Sequence, residues 1–235
     1  MRIDKLLSEM GKATRKESAT LAKAGKILVN GVVIKRSDTH INPEKDVVTL
    51  CGNVVHYKKF TYIMLNKPQG YVSATEDERE QTVLELLPEE ERRKGLFPCG
   101  RLDKNTLGLI ILTNDGDSAH KSLSPKHHVS KTYRFEASLP LTAEDKARIE
   151  NGVDIGGYVT KPCKITLYND DASGEITLTE GKYHQIKRML EAVDNKITYL
   201  ERISFGTIAL DSRLQRGEWR YLTEQEEKAF IGDNK

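Results

Sequence analysis

The stretch Gly100-Arg101-Leu102-Asp103-Lys104-Asn105-Thr106-Leu107-Gly108 sets one carboxylate, Asp103, in a loop between two glycines and close to an arginine. A carboxylate held in this way can act as a nucleophile or remove a proton. Gly100 and Gly108 permit backbone conformations closed to other residues. The run Leu109-Ile110-Ile111-Leu112 reads as a short buried strand, and Asn114-Asp115-Gly116 as the turn that ends it. A reactive side chain on a loop held by a rigid strand is a common way to build an active site. The same aspartate, beside Gly and Asn, also suits a plain turn residue hydrogen-bonded to local backbone. These residues alone leave both readings open.

Other chemistries fit poorly. Asp103, Asn105 and Gly108 echo the start of a calcium loop, but Leu107 replaces an oxygen ligand and Asn114 stands where a bidentate glutamate belongs. His120, His127 and His128 lack zinc-like spacing with any cysteine or carboxylate. Gly152 to Gly157 lacks the strand-turn-helix context of a dinucleotide fingerprint.

The elements that must hold the loop are readable along the chain. Ile3, Leu6, Leu7 and Met10 recur at helical spacing and stop at Gly11. Thr14 stands three residues before Glu17, a capping box that predicts a second helix from about Arg15 to Ala24. Lys26 to Val29 and Val32 to Lys35 read as strands joined by Asn30-Gly31, a strong hairpin signal. Asp46 to Leu50 suggests a further strand, and the polar Cys51 to Lys59 a linker. Beyond it, Phe60 to Leu65, Lys131 to Phe135, Ile165 to Tyr168 and Ile176 to Leu178 read as strands. Ala143 to Glu150 and a segment running to about Val193 read as helices. Strands without regular βαβ alternation predict an α+β fold with a mixed, largely antiparallel sheet. The expected division is residues 1–59 for a first domain and linker, and 60–235 for a second.

At 235 residues the chain can bury two modest cores, and 37% hydrophobic with 31% charged residues describes a soluble globular protein. It has no apolar run of about 18 residues and no signal-like amino terminus. Three widely spaced cysteines argue against a disulfide framework and fit a reducing cytoplasm. The net charge of +2 conceals an asymmetry: residues 1–59 hold 12 Lys/Arg against 6 Asp/Glu, and the remainder holds 25 against 29. A basic first quarter suits a phosphate-binding surface, and equally a merely solubilising one.

Gly100-Arg101-Leu102-Asp103 closely resembles the catalytic signature of pseudouridine synthases, in which the aspartate is nucleophile or base. Asn66-Lys67-Pro68-Gln69-Gly70-Tyr71 resembles the first motif of that family, a loop expected to brace the catalytic one. Lys131-Thr132-Tyr133 resembles its Lys-x-Tyr motif, and His184-Gln185-Ile186-Lys187-Arg188 its third motif. The resemblance implies that Tyr133 stacks on uracil, although a core aromatic would look the same. It implies that Lys187 pairs with Asp103 and orients it. Ile186 would wall the base pocket, Arg101 would contact phosphate or fill the gap left by a flipped uridine, and Arg188 would touch RNA backbone. His184 and Gln185 are open to structural or site roles. The amino-terminal stretch, with Val29-Asn30-Gly31, resembles the small RNA-binding module of ribosomal protein S4, over roughly residues 1–50. Arg2, Lys5, Arg15, Lys16, Lys23 and Lys26 are then candidates for phosphate contact, each of them equally suited to a solvated helix face.

Within the family, the chain is most similar to the RsuA branch, which implies the uridine at position 516 of 16S rRNA, in naked RNA or a partly assembled small subunit. A large-subunit (23S) enzyme or a non-catalytic rRNA-binding assembly factor are the alternatives. Isomerisation breaks an N1–C1′ bond and forms C5–C1′ with no redox change, so it needs neither metal nor organic cofactor. A monomer is expected, since RNA supplies the large contact surface.

Overall fold

The computed structural model describes residues 1–92, 94–124 and 127–232. The chain divides into two compact units, Met1–Thr61 with Leu84–Phe97, and Tyr62–Val83 with Pro98–Lys235.

In the first unit, α1 (Ile3–Glu9) and α2 (Arg15–Lys23) precede four short strands, β1 (Ile27–Val29), β2 (Val32–Val33), β3 (Val48–Leu50) and β4 (Asn53–Val55), and α3 (Glu89–Arg92) comes from the later segment. The expected capping box forms: Glu17 N donates to Thr14 Oγ1 at 3.2 Å, and Thr14 N donates to Glu17 Oε2 at 2.6 Å. Asn30 and Gly31 take positive φ values of 50° and 80°, the backbone a two-residue hairpin turn requires. The strands form an antiparallel sheet in the order β2-β1-β3-β4. Ile3, Leu6, Leu7, Ala22, Ile27 and Val48 are among the side chains that form the core. The segment Cys51 to Lys59, expected as a linker, instead holds β4. Cys51 and Gly52, both at positive φ, turn the chain back so that Val55 pairs with Val48 and buries against the helices. The lysines that follow obscured this two-valine strand.

The second unit is built on a nine-stranded sheet. Its strands are β5 (Tyr62–Lys67), β6 (Phe97–Cys99), β7 (Leu107–Thr113), β8 (Lys131–Ala137), β9 (Lys164–Leu167), β10 (Ser173–Leu178), β11 (Ile197–Phe205), β12 (Ile208–Ala209) and β13 (Trp219–Tyr221). The main path runs β13-β5-β7-β11-β8-β10-β9, with β6 on β7 and β12 on β11. Along that path only β7–β11 is parallel, so the sheet is mixed and largely antiparallel, as expected of an α+β protein. Four helices belong to this unit: α4 (Gly116–Leu123), α5 (Ala143–Asn151), α6 (Gln185–Glu191) and α7 (Glu224–Gly232). Ile186, Met189 and Leu190 of α6 pack on Phe135, Ile176 and Leu200 of the sheet, which fixes α6 beside β8 and β11.

Asn114-Asp115-Gly116 does end β7, but it also starts a helix. The Asp115 carboxylate accepts from Ser118 N at 3.2 Å and caps α4. No helix among the described residues is long and apolar enough to cross a membrane.

Candidate active site

Asp103 lies in the loop that enters β7 at the middle of the sheet, where β7 is flanked by β5 and β11. Gly108, at φ 96°, lets β11 approach: a Cβ at this position would lie 2.3 Å from the carbonyl oxygen of Arg202. Three further supports reach the loop from the end of β5 and the segment after it. Lys67 is fully buried, and its Nζ donates to the carbonyls of Pro68 at 3.1 Å, Lys104 at 3.1 Å and Thr106 at 2.8 Å. Burial, with a smaller contribution from Lys187, pushes this ammonium down to about 8 against the opposing pull of Asp103. The three carbonyls match its three N–H donors, so its protonated form ties both sides of the loop. Gly70 N donates to Lys104 O at 2.9 Å, and Ser73 Oγ exchanges hydrogen bonds with the Leu102 backbone at 2.9 and 3.0 Å. The bracing expected of the Lys67-Pro68 motif is therefore a set of backbone hydrogen bonds around Asp103.

Across the cavity, α6 presents Lys187, whose Nζ donates to Asp103 Oδ2 at 2.8 Å. The other carboxylate oxygen lies 3.6 Å from His184 Nε2. His184 takes the left-handed backbone conformation where α6 begins, at φ 49° and ψ 34°, and its ring stacks on Tyr183 at 3.8 Å. This approach is held from behind by Glu180. Its carboxylate accepts from Tyr158 Oη at 2.7 Å, Lys161 N at 3.0 Å and Gln185 Nε2 at 2.7 Å. Burial disfavours the charge, yet these donors hold the carboxyl below its ordinary value. Gln185 in turn accepts from Lys182 N at 2.9 Å.

Two adjoining cavities open at this point. The smaller, a slot of about 90 Å³, has a mixed lining, with Leu178, Ile186, Leu200 and Tyr133 as well as the Asp103–Lys187 ion pair and further polar side chains such as Gln185. The larger, about 480 Å³, shares Arg101, Asp103 and Tyr133 with it and extends over Lys131, Tyr183 and Arg202. Such a slot can enclose a planar base and bring a ribose carbon to the carboxylate.

The sequence matches are specific. The profile of RNA pseudouridylate synthases matches residues 61–192, and that of the S4 domain matches residues 1–48. This chain belongs to the RNA pseudouridylate synthase family. The synthase is 48% identical over 230 residues to the Bacillus subtilis (strain 168) protein YtzG, an uncharacterized RNA pseudouridine synthase, with 96% of each chain covered. It is 40% identical to ribosomal small subunit pseudouridine synthase A of Vibrio vulnificus, covering 96% of this chain and 97% of that one. A crystal structure of a pseudouridylate synthase, 32% identical, superposes over 98% of this chain and all of the other with a TM-score of 0.69. The synthase is thus an isomerase that acts on RNA.

Of the residues singled out from the sequence, Asp103, Tyr133 and Lys187 line one cavity, Ile186 forms part of its wall, and Arg101 stands exposed at its mouth. Arg188 is not a lining residue of either cavity; it is half-buried, with Nη2 packed against Gly156. Arg2, Lys5, Arg15, Lys16, Lys23 and Lys26 are exposed on the first unit. Arg2 pairs with the buried Asp4, and Lys5 lies 3.6 Å from Glu9. Sequence reasoning overlooked Glu180, Lys131 and Arg202. Lys131 and Arg202 were invisible as site residues because cations in strand-like runs read as solvent-facing.

Proposed function

We propose that this synthase converts a uridine of small-subunit ribosomal RNA to pseudouridine, the target being uridine 516 of 16S rRNA. The observation that carries the chemistry is the 2.8 Å ion pair between Asp103 and Lys187 in a cavity also lined by Tyr133, Ile186 and Leu200. The target assignment is supported by the full-length similarity to the Vibrio vulnificus small-subunit enzyme.

Asp103 acts at the sugar of a flipped-out uridine, as nucleophile at C1′ or as base on a ribose proton. The N1–C1′ bond breaks, the uracil turns between Tyr133 and Ile186, and C5 bonds to C1′; in the nucleophilic route this displaces the Asp103 carboxylate from C1′, and in the base route Asp103 returns its proton to the ribose. The proton on C5 then leaves to solvent and N1 gains one, so atoms and charge balance without a further reactant. Lys187 orients the carboxylate, and Tyr133 stacks on the base. Arg101 contacts phosphate or fills the space the uridine vacates, and Arg188 acts on RNA backbone from outside the slot. Residues 1–59 form the RNA-binding domain and linker, with Arg2, Lys5, Arg15, Lys16, Lys23 and Lys26 as its phosphate contacts. Residues 60–235 form the catalytic domain. The protein works as a cytoplasmic monomer on rRNA or a partly assembled small subunit.

Mapping pseudouridine in both ribosomal RNAs with and without the protein tests the target. Loss confined to position 516 of 16S rRNA is expected, and loss in 23S rRNA would move the enzyme to the large subunit. Tritium release from [5-³H]uridine-labelled rRNA tests the chemistry. Asp103→Asn should still bind RNA but release tritium about ten-thousandfold more slowly. Full release by that variant, or its rescue of every defect of a deletion strain, would leave Asp103 without a catalytic role.

A further inference from the structure

The larger cavity contains a charge imbalance that the reaction chemistry does not use. Lys131 begins β8 and is only 9% exposed, and Arg202 on β11 is 2% exposed, yet both line this cavity. The two strands are paired, with Lys131 opposite Phe205 and Arg202 opposite Tyr133. An irregularity in the register between Arg202 and Ser204 breaks the alternation just beyond Arg202, a feature that re-aims side chains near functional sites. Lys131 Nζ and the Arg202 guanidinium lie 5.3 and 5.4 Å from the centre of the Phe205 ring.

Their protein partners are few. Lys131 Nζ donates to Val129 O at 3.0 Å, and Arg202 Nε donates to Leu109 O at 2.7 Å. Arg202 Nη2 is buried with no acceptor. Neither cation has a carboxylate partner among the described residues. The cavity's own carboxylates are engaged elsewhere, Asp103 with Lys187, and Glu180 with Tyr158, Lys161 and Gln185. Burial and then the neighbouring Arg202 push the Lys131 ammonium down to about 8, against an opposing contribution from the buried Cys99. Arg101, Lys161 and Lys182 add positive charge around the same cavity. Two buried like charges that served packing alone would be better replaced by apolar side chains of similar volume. Their presence is explained if an anion completes the site.

We infer that Lys131 and Arg202 form the floor of a phosphodiester subsite that receives the backbone of the target strand beside the uridine being isomerised. This deepens the RNA reading of the cavity and rests on it. The adjoining slot holds the base at Asp103, so the phosphate next to that nucleotide must lie within one nucleotide's reach. The 480 Å³ cavity is the cationic space available there. A phosphate oxygen supplies the acceptor that Arg202 Nη2 lacks and the counter-charge that Lys131 lacks.

The full-length protein, titrated with inorganic phosphate against chloride at matched ionic strength, gives the first test by thermal unfolding. Phosphate should raise the Tm of the wild type, and Lys131→Met should abolish that rise. Without phosphate, Lys131→Met should melt at or above the wild-type temperature, because a buried repulsion with Arg202 is gone. Filter binding to an rRNA fragment should show Kd rising about tenfold and the slope of log Kd against log salt falling by about one, as expected for one lost phosphate contact. In turnover the KM should rise more than kcat falls. Equal Tm in phosphate and chloride for the wild type, an unchanged salt slope in the variant, or a variant that melts well below wild type would each overturn the subsite. Thermal shift and filter binding do not require turnover. Failure of the proposed target would instead appear as unchanged pseudouridine maps, with these two measurements intact.

Discussion

At the scale of single residues, Asp103, the reacting group we propose, is held by Lys187 at 2.8 Å with His184 at 3.6 Å. Asp103 and Lys187 are each between a quarter and a third exposed, so their ion pair contributes little to folding and its value lies in orientation. Lys187→Met should accordingly change stability by no more than about 1 kcal/mol. Tritium release should slow about a hundredfold or more because the carboxylate loses its fixed position. Lys187→Arg, which keeps a donor near Oδ2, should recover part of that loss. Single-turnover kinetics at saturating RNA, alongside denaturant melts, separates the two effects. If Lys187→Met lost stability and activity in proportion, the lysine would be a structural strut instead. The Glu180 cluster acts one step further back, since its three donors fix the backbone from which His184 and Lys187 project.

At the scale of elements, the loop carrying Asp103 is held where three strands meet at its end. Lys67 closes β5, Gly108 lies near the start of β7, and Arg202 lies beside Gly108 on β11. Gly108→Ala would bring a methyl carbon to 2.3 Å from Arg202 O in a backbone conformation that side chains rarely adopt. A loss of about 2–4 kcal/mol in stability is expected, measurable in urea, with activity falling further as the loop shifts. A near-neutral result would mean that β11 can move away without disturbing Asp103.

The far edge of the sheet has its own clamp, where Arg220 of β13 makes a bidentate pair with Glu226 of α7 at 2.7 and 2.8 Å. Hydrogen bonding to Arg220 lowers the Glu226 carboxyl from 4.5 to about 2, against the effect of burial. A carboxylate lowered by folding contributes stability that is fully present above pH 4.5 and is lost as pH falls towards about 2. Glu226→Gln should therefore flatten the acid limb of the stability profile in that window. An identical acid limb in the variant would show that other carboxylates set it.

For the whole molecule, the sequence divides its charge unevenly. Residues 1–59 carry a charge balance of +6 and the rest of the chain −4. The exposed Arg15, Lys16 and Lys23 all lie on α2, and we propose that they hold rRNA through its phosphates. Replacing all three by Glu should weaken binding at least about a hundredfold at low salt and lower the salt slope by up to about three, with KM affected more than kcat. Filter binding across a salt series checks this. A slope equal to wild type would assign the RNA surface to other residues.

Much of this organisation was legible in the chain itself, for a physical reason in each case. The Thr14–Glu17 capping box, the Asn30-Gly31 turn and the helical spacing of Ile3, Leu6 and Leu7 are local signals, written in residues a few positions apart. The loop around Asp103 was legible because reactive geometry needs particular residue types at fixed spacing. The two-valine strand β4, the helix α4 behind Asp115, the last three strands and the return of Leu84–Phe97 to the first unit were not. Their stability comes from partners distant in sequence, which local propensity does not record. The sequence by itself determined α1, α2 and the hairpin of β1 and β2 in the first unit, and the α+β class, and it pointed to Asp103 as the candidate reacting group. Only the tertiary structure decided that Lys67 ties the loop through three carbonyls and that Lys131 and Arg202 share one buried cavity, while the Lys187–Asp103 pair expected from the motif resemblance closes across 84 positions. Charge pairing and burial depend on distance in space, and that distance is set only when the sheet closes.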